Sequence, residues 1–549
     1  MSDDLAADGE FVPLDGWPAI AEADIGEVPP ALDIRRFTKQ AARSRAGASL
    51  GSLLSDVYYS AVIGATGVLL AFGIAQQLRV ALPPAPPVAD TGLSLPALVV
   101  VLLAGLSGAV LSLAGRLGPV GAGGAEVAWW LGLPVDRRGL LRPTALRLPP
   151  IAALVVGVLV ALLDAGLLAD DGGHAVLAAV GGALGAALIV VLAGLLQTAG
   201  ASRRATALVG DLLLVAAPVL AGVLAVLGTG VRRLPVPSWP VAVVLAALVV
   251  AGCWLVDRRL GRIRQSSLRE SGSVASQAAG AVVSMDSREL GRALSDGSAP
   301  STRRWVSRLR TVRGPATALV TADVVVLRRS TRHVVQIVVM AAVPVLVTVV
   351  PALAGQAWVL LTVLVCGYIA ASATAEGARR AEMAPILDRL LPLAPSAVRR
   401  LRMVVPAVAM LLWSLVVFAA LGRWAGDLPG WLALGIAGTP AWAAAAVRAA
   451  YRSAPDWGKP LVSTPMGALP TGVASVLARG PDVGLLGLLP TWIALMLRSV
   501  TSTFAFAQLA LSVIAVLIAS STSSKSLMER AMAAQETQEA ERKARASRG

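Results

Sequence analysis

Residues 124–143, which read GAEVAWWLGLPVDRRGLLRP, combine an acid, two adjacent tryptophans and a cluster of arginines in one short stretch. Large aromatic side chains and arginine carry much of the binding energy at protein interfaces, so these residue types indicate recognition of a partner. A tryptophan pair beside an apolar run is also typical of an anchor at a membrane surface. The candidate contact residues are Glu126, Trp129, Trp130, Asp136 and Arg137.

A second stretch, EMAPILDRLLPLAPSAVRRLR, repeats this pattern. When Leu133-Pro134 is set on Leu391-Pro392, an apolar segment with an acid precedes each Leu-Pro, and an arginine-bearing segment follows it. Proline lacks the N–H donor and disfavours helix in the residue before it, so we expect a short helix to end at each site. The candidates here are Glu382, Asp388 and Arg389.

Groups for catalysis are sparse in this chain. The Gly-Lys pair in WGKP, at 457–460, lacks the earlier glycine and the Ser or Thr of a phosphate-binding loop. His174 and His333 are isolated in the sequence, and Cys253 and Cys366 lie in apolar runs typical of buried thiols. We therefore expect no enzymatic activity, no cofactor and no metal site in this chain.

The composition excludes an ordinary soluble protein. Of 549 residues, 56% are hydrophobic and 15% are charged. Apolar runs of roughly 18 to 22 residues recur, and each is long enough to cross a hydrocarbon layer of about 30 Å as a helix. The net charge of +15 is typical of basic cytoplasmic loops that face anionic lipid, so no nucleic-acid partner is expected.

The apolar runs predict about twelve transmembrane helices in the cell (cytoplasmic) membrane. Arginines place the loops after spans 2 and 8 in the cytoplasm, together with both termini. The predicted spans are 57–79, 95–114, 149–168, 175–197, 208–228, 239–257, 335–354, 357–375, 403–421, 430–447, 482–497 and 503–521. The predicted domains are an acidic cytoplasmic tail (1–34), a first half with spans 1–6 (35–257), a cytoplasmic linker with a short helix near 276–294 (258–313), a second half with spans 7–12 (314–521) and a cytoplasmic tail (522–549).

The twelve spans form an internal duplication. SDV at Ser55–Val57 and ADV at Ala322–Val324 each end a basic, apolar lead-in segment ahead of six spans. An even number of spans inserts both copies with the same orientation, so the predicted fold class is an all-α polytopic membrane protein with two six-helix halves related by a parallel pseudo-twofold. The small-residue run AVGGALGAAL, Ala179–Leu188, is expected at the interface that the halves share.

The segment EMAPILDRLLPLAPSAVRR, and more loosely EVAWWLGLPVDRRGLL, resembles the pattern that follows the second span in ABC-2-type exporter permeases. The lead-in helix and the six-span half are similar to the same family, and the fused pair resembles a two-half form from GC-rich, actinobacteria-like bacteria. The resemblance implies that each loop is a coupling helix that docks into a separate ATP-binding subunit, two copies per chain, which holds ATP and Mg.

The resemblance also assigns the contact residues. It implies one ATPase contact at the first loop and an unequal one at the second, because Asp136 stands where Ser is common and "API" replaces aromatic residues in the second loop. The first contact comprises Glu126, Trp129, Trp130, Asp136 and Arg137, and the second comprises Glu382, Asp388 and Arg389.

The implied function is that of the permease subunit of an ATP-driven exporter for an amphiphilic or hydrophobic substrate. Two alternatives remain open. An ion-coupled secondary transporter is also commonly built from two six-span halves, but it usually needs an ionisable group deep in the membrane. Asp164, near the outer end of span 3, is the candidate on a substrate path. The other alternative is a membrane scaffold that transports nothing.

Overall fold

The computed structural model is helical apart from one short hairpin. In some of its helices not every side chain is described, and that of Arg389 is among those left out. The structure describes residues 30–45, 50–81, 93–122, 126, 129–130, 132, 135–168, 171–227, 231, 233–283, 290–291, 293–294, 312–350, 353–451, 462–464, 467–469 and 480–521. Most of the predicted acidic tail and all of the predicted C-terminal tail lie outside these ranges.

The N-terminal set of helices runs to residue 283. Its third long helix ends in a π-helix, Leu162–Leu168, and its last long helix ends in a 3₁₀ turn, Leu260–Arg262. The helices are α1 (Ala31–Arg45), α2 (Leu50–Ala81), α3 (Leu95–Leu117), α4 (Arg137–Ala145), α5 (Leu148–Ala161), α6 (Gly172–Thr198), α7 (Arg203–Leu227), α8 (Trp239–Arg259) and α9 (Gln265–Val283).

The C-terminal set begins at Pro315 and includes an antiparallel hairpin of two three-residue strands, β1 (Val462–Thr464) and β2 (Gly467–Leu469). Its helices are α10 (Pro315–Arg329), α11 (Thr331–Val349), α12 (Gln356–Thr374), α13 (Glu376–Met383), α14 (Pro385–Arg389), α15 (Pro395–Arg402), α16 (Val404–Ala425), α17 (Leu428–Ala450), α18 (Pro481–Gly487), α19 (Leu489–Leu497) and α20 (Ser502–Ser520).

Ten helices among the described residues are long and apolar enough to cross a membrane, which makes this a multi-pass membrane protein. They match ten of the twelve predicted spans. Predicted span 1 falls in α2, where the apolar stretch found among the described residues, Gly64–Gly73, is shorter than a full span. Predicted span 11 is two helices, α18 and α19, because the chain breaks at Leu488 ahead of Pro490.

The two sets are packed differently. In the N-terminal set, α3 and α7 cross so closely that a Cβ on Gly108, Gly115 or Gly210 would collide with the backbone of the other helix. In the C-terminal set the core is aromatic: Trp442 makes edge-to-face contacts with Trp413 and Trp492, at 5.9 and 6.0 Å between ring centroids. The run Ala179–Leu188 lies in α6.

The small-residue run therefore packs inside the N-terminal set, where Gly182 faces Val160 of α5. The contact between the sets is made elsewhere, by α3 and α7 against α11, in a cluster that includes Ala97, Ala217 and Val350. The expectation that this run forms the shared interface was wrong, because Gly182 packs against Val160 of α5 and Gly181 packs against Pro237, just before α8.

The ends of α3 and α12 that lead into the two loops lie on one side of the bundle, which we call the basic end. Arg116, at the end of α3, donates to the carbonyl of Leu294 at 3.3 Å, and Arg332, at the start of α11, donates to the carbonyl of Gly291 at 2.7 Å. Residues 291 and 294 thus join the two sets at this end. α6 ends and α7 begins here too, as Arg203 donates to the Arg116 carbonyl.

The described part of the predicted linker is an ordered part of the bundle. Its helix, α9, begins at Gln265, earlier than the segment near 276–294 that periodicity predicted. Leu268 is fully buried in a cluster with Val120, Leu141 and Val256, so α9 packs on the chain that leaves α3. The polar composition of α9 hid this packing in the sequence, because Ser271 and Gly272 lie on the buried face together with apolar residues such as Leu268 and Val274.

Candidate functional site

The two tryptophans of the first loop have different environments. Trp130 is 9% exposed and packs against Ala31 and Leu140, while Trp129 is 75% exposed. The Arg35 guanidinium lies 5.0 Å from the Trp130 ring centroid and donates to the Leu140 carbonyl. Trp130 is therefore a structural residue that joins α1 to α4, and Trp129 is the aromatic residue that a partner or lipid can reach.

The predicted contact residues around this pair also have distinct positions. Asp136 caps α4, because its carboxylate accepts hydrogen bonds from the backbone N–H groups of Arg138 at 3.0 Å and Gly139 at 3.3 Å. Arg137 is half-buried. Glu126 is half-buried and near enough to Arg35 to act on it electrostatically; burial lowers the pKa of Arg35 and this carboxylate opposes that shift.

The short basic helix α4 is fixed to the end of α8. Asp257, buried near the end of α8, accepts hydrogen bonds from Arg138, whose Nε is at 3.2 Å, and pairs with Arg142 at 3.3 Å. α4 continues almost directly into α5, and the two form one candidate span from Arg137 to Gly166. A displacement of the first loop would thus be passed to α5 and to α8.

The chain between α3 and the first loop is clamped at Val120. Gln197, at the end of α6, accepts from the Val120 N–H at 3.0 Å and donates to the Val120 carbonyl at 2.8 Å. Ser271 of α9 donates to the same carbonyl at 2.9 Å. Two helices, α6 and α9, therefore fix the root of the loop.

Gly272→Ala is expected to destabilise the protein by about 1–3 kcal/mol, the usual range for overpacking. A Cβ at Gly272 would overlap the Ala122 carbonyl, so α9 must move off the loop root. Gly280→Ala on the same helix has nothing within 4 Å and should be neutral or stabilising by up to about 1 kcal/mol. Thermal unfolding of both variants in detergent measures this. Equal melting temperatures for the two would show that α9 does not pack as described.

In the second loop, the Asp388 carboxylate accepts hydrogen bonds from other residues of the chain. Arg402 of α15 donates to Asp388 at 2.7 Å and to Asp323 of α10 at 2.8 Å, and the Tyr451 hydroxyl donates to Asp388 at 3.2 Å. Arg402 also donates to the Gly377 carbonyl at 3.3 Å. Burial raises the pKa of Asp323, and the charge of Arg402 opposes that shift.

The surface of the second loop is apolar. Met383, Ile386 and Leu390 are 52%, 63% and 75% exposed, and sequence analysis did not select them. Their spacing of three and four residues is a signal that could have identified them, since it is typical of one helix face, although the structure places Met383 at the end of α13, Ile386 in α14 and Leu390 just after it. Glu382 is half-buried on α13, and the side chain of Arg389 lies outside the described residues.

The two loops have equivalent surroundings. We call α1 with residues 118–145 the first loop unit, and α10 with residues 375–402 the second. In each, the lead-in helix contacts the short basic helix, α1 with α4 and α10 with α15, and the basic helix contacts the last long helix of its set, α8 or α20. Arg399 of α15 donates to the Ser521 carbonyl, just beyond α20, as Arg138 does to Asp257.

At the opposite end of the bundle, Asp164 forms a pair that sequence analysis missed. Its Oδ2 lies 2.9 Å from His174 Nδ1, and His174 Nε2 lies 3.0 Å from the Leu234 carbonyl oxygen. A carbonyl only accepts, so His174 Nε2 is the donor of that hydrogen bond and Nδ1 faces the Asp164 carboxyl group. The expectation that His174 is isolated was wrong, because the turn between the π-helix and α6 brings two residues ten positions apart together.

Asp164 is fully buried in the π-helix, and its Oδ1 atom has no hydrogen-bond partner among the residues that the structure describes. π-helical turns often occur at functional sites. Leu234, which accepts from His174, also lines an apolar cleft of about 280 Å³ between α3, α5 and α6. Asp164 thus lies beside a cleft and remains the candidate for a substrate path, without lining that cleft itself.

Fold and site together define a polytopic helical membrane protein with two similar loop units at one end. The chain belongs to the protein family DUF6297, described as a family of unknown function, whose sequence pattern matches residues 89–460. That range includes α3 to α17 and therefore both loops. No curated protein and no solved structure matches the chain.

Proposed function

We propose that this chain is the permease subunit of an ATP-driven exporter, as the resemblance to ABC-2-type permeases implies, and that the ATP is hydrolysed by a separate subunit. The carrying observation is that both loop units present large apolar side chains to solvent at the same end of the bundle. Trp129 does so in the first unit, and Ile386 and Leu390 do so in the second. Exposed residues of this size at a charged rim are typical of a binding surface.

The loops are also placed to transmit force. Each is followed by a basic helix that runs into the third long helix of its set and binds the end of the sixth, through Asp257 or the Ser521 carbonyl. A partner that pushes the exposed loop residues therefore acts on two transmembrane helices at once. This linkage supports a role for the loops in transmitting movement from a partner to the transmembrane helices. A loop that only anchors the protein at a lipid surface would not need it.

Recurrent helix packing supports two halves that move as units. The long helices of the sets, numbered one to six, are α2, α3, α5, α6, α7 and α8 in the first and α11, α12, α16, α17, α18–α19 and α20 in the second. In both sets helix three packs on four, four on six, two on four and five, and one on three. In this proposal the spans number twelve, with α2 as the first and α18–α19 together as the eleventh, and a parallel pseudo-twofold relates the halves. Rocking of the halves across the contact of α3 and α7 with α11 would alternate access to an amphiphilic or hydrophobic substrate.

In this proposal the basic end faces the cytoplasm, where two ATP-binding subunits, with ATP and Mg, contact one chain in the cell membrane, whose lipid surrounds it. In this proposal the contact residues differ from the full set that the resemblance assigns. Trp129, Glu126 and Arg137 form the first contact and Met383, Ile386 and Leu390 the second. Trp130 and Asp388 support these surfaces from within, and Asp136, which is exposed, caps α4 beside the first contact.

The second candidate, an ion-coupled transporter, is favoured by one observation. Asp164 Oδ2 lies 2.9 Å from His174 Nδ1, both residues belong to candidate spans, and a buried ionisable pair of this kind is a usual component of proton coupling. The scaffold alternative has no observation of its own in its favour.

Affinity purification of the full chain from its native cells, followed by reconstitution in vesicles, tests the proposal. We expect an ATP-binding subunit to co-purify at about two copies per chain, and its ATP hydrolysis to depend on this chain. Absence of any ATPase, with uptake or release driven by a pH gradient and abolished by Asp164→Asn, would support the ion-coupled transporter. An ATPase that binds but hydrolyses ATP at the same rate without the chain would support the scaffold.

A further inference from the structure

A cleft of about 500 Å³ opens at the basic end, away from both exposed loop surfaces. Three chain segments form it: the turn between α6 and α7, the 3₁₀ turn after α8 and the first turns of α9. Four of its lining residues are arginines, namely Arg203, Arg204, Arg262 and Arg264, and one is an acid, Glu270.

The walls of the cleft are held by backbone hydrogen bonds. Gly200 has φ +79, and the N–H of Ala201 reaches back to the Leu196 carbonyl at 2.9 Å, which is the hydrogen bond of a Schellman turn. On the facing wall the N–H of Leu268 donates to the Arg264 carbonyl at 3.2 Å, which starts α9. The arginines therefore project from fixed turns.

The charge in the cleft is only partly balanced. Arg203 pairs with Glu270 at 3.3 Å and donates to the Arg116 carbonyl, so it is part of the wall. Arg262 and Arg264 are exposed, and neither has an acidic side chain within ion-pair distance among the described residues. A bias toward basic residues at one end explains how many arginines lie there. It does not explain why three separate segments bring four of them into one cleft.

We infer that this cleft binds a phosphate-bearing anion. Guanidinium groups match phosphate oxygens in pairs, and bringing several together without an anion is unfavourable because like charges repel. The N–H groups in the first turns of α7 and α9 have no acceptors within their helices, and Ser266 and Ser267 add hydroxyl groups to the lining. The cleft lies where three candidate spans end, so a phospholipid headgroup or a soluble phosphate can reach it.

Occupation of the cleft has a structural consequence. Its two walls belong to different parts of the chain, α9 on one side and the turn between α6 and α7 on the other. The same helix α9 holds the root of the first loop through Ser271 and Val120. A bound phosphate would therefore fix α9 on the bundle and stabilise the loop root. This inference is independent of the proposed ATPase partner.

The test uses the full chain in a neutral detergent, with phosphatidylglycerol, phosphatidylcholine and inorganic phosphate as probes in native mass spectrometry and calorimetry. The variant R262Q/R264Q removes the two exposed arginines that have no acidic partner. The matched control R269Q/R400Q removes two exposed arginines at the same end that do not line the cleft. We expect R262Q/R264Q to weaken binding by at least about tenfold and the control to leave it within about twofold of wild type.

Each source of phosphate gives its own result. Binding of phosphatidylglycerol but not phosphatidylcholine, lost in R262Q/R264Q, identifies a lipid headgroup; binding of inorganic phosphate, lost in the same variant, identifies a soluble ligand. In both cases added salt should weaken binding, because the contacts are between charges. Equal affinity of wild type and R262Q/R264Q for the three probes, or no binding of any, overturns the inference. Matching melting temperatures of both variants and wild type establish that folding is not the cause.

Discussion

Trp129→Ala is expected to weaken binding of the proposed ATP-binding subunit by at least about tenfold while the melting temperature stays unchanged. Truncation of an aromatic residue at the centre of an interface commonly costs 2 kcal/mol or more, roughly a thirtyfold loss of affinity. The side chain is 75% exposed in the chain alone, so its removal should change the free energy of unfolding by less than about 0.5 kcal/mol. Surface plasmon resonance on the purified chain measures the affinity.

Two other tryptophans serve as controls for Trp129. Trp239 is 61% exposed at the opposite end of the bundle, so Trp239→Ala should leave ATPase binding intact. Trp130→Ala should lower the melting temperature, because Trp130 packs on Ala31 and Leu140 beneath Arg35. Wild-type ATPase affinity in Trp129→Ala would contradict the docking role and leave Trp129 as an anchor in the lipid surface.

The transmembrane helices could be predicted because length and apolarity suffice for them. A run such as Leu95–Leu117 needs no knowledge of its neighbours, since the bilayer is its environment. The break at Leu488 was not predicted, since 482–497 was taken as one span, although Pro490 inside this apolar run is a residue that ends or kinks a helix. The packing of α9 was not predicted either, because its buried face carries Ser271 and Gly272, which read as a polar linker.

The candidate site could be predicted in position but not in the role of each residue. Trp130, Asp136 and Asp388 were assigned to partner contacts by residue type, but Trp130 and Asp388 are held by partners within the protein, and Asp136 is an exposed N-cap. Arg35 lies 105 residues from Leu140, to which it donates, and Arg402 lies 79 residues from Asp323. Such long-range contacts leave no trace in local spacing. Asp136 is the exception, since an Asp just before a helix is the usual pattern of an N-cap.

Arg402→Met is expected to destabilise the protein by about 3–5 kcal/mol, the range observed when one partner of a buried ion pair is removed. The substitution keeps the length of the side chain but leaves Asp323 and Asp388 without their cation and the Gly377 carbonyl without its donor. Asp388 lies in the second loop and Asp323 in its lead-in helix α10, so the loss of stability should be greatest in the second loop unit. Hydrogen exchange of the full chain in detergent, read by mass spectrometry, locates it.

Arg400→Met is the matched control, because Arg400 lies on the same helix, is exposed, and makes a hydrogen bond of 3.4 Å to the Ser396 carbonyl. It should change stability by less than about 1 kcal/mol. Similar melting temperatures for the two variants would contradict the buried network. Faster exchange in α10 and α14 in Arg402→Met, with α3 and α7 unaffected, would show that the network ties the lead-in helix to the second loop. Since Arg35 of α1 donates to the Leu140 carbonyl of α4, the first lead-in helix is also tied to its loop unit, and the two units then differ in their bonds but agree in what they join.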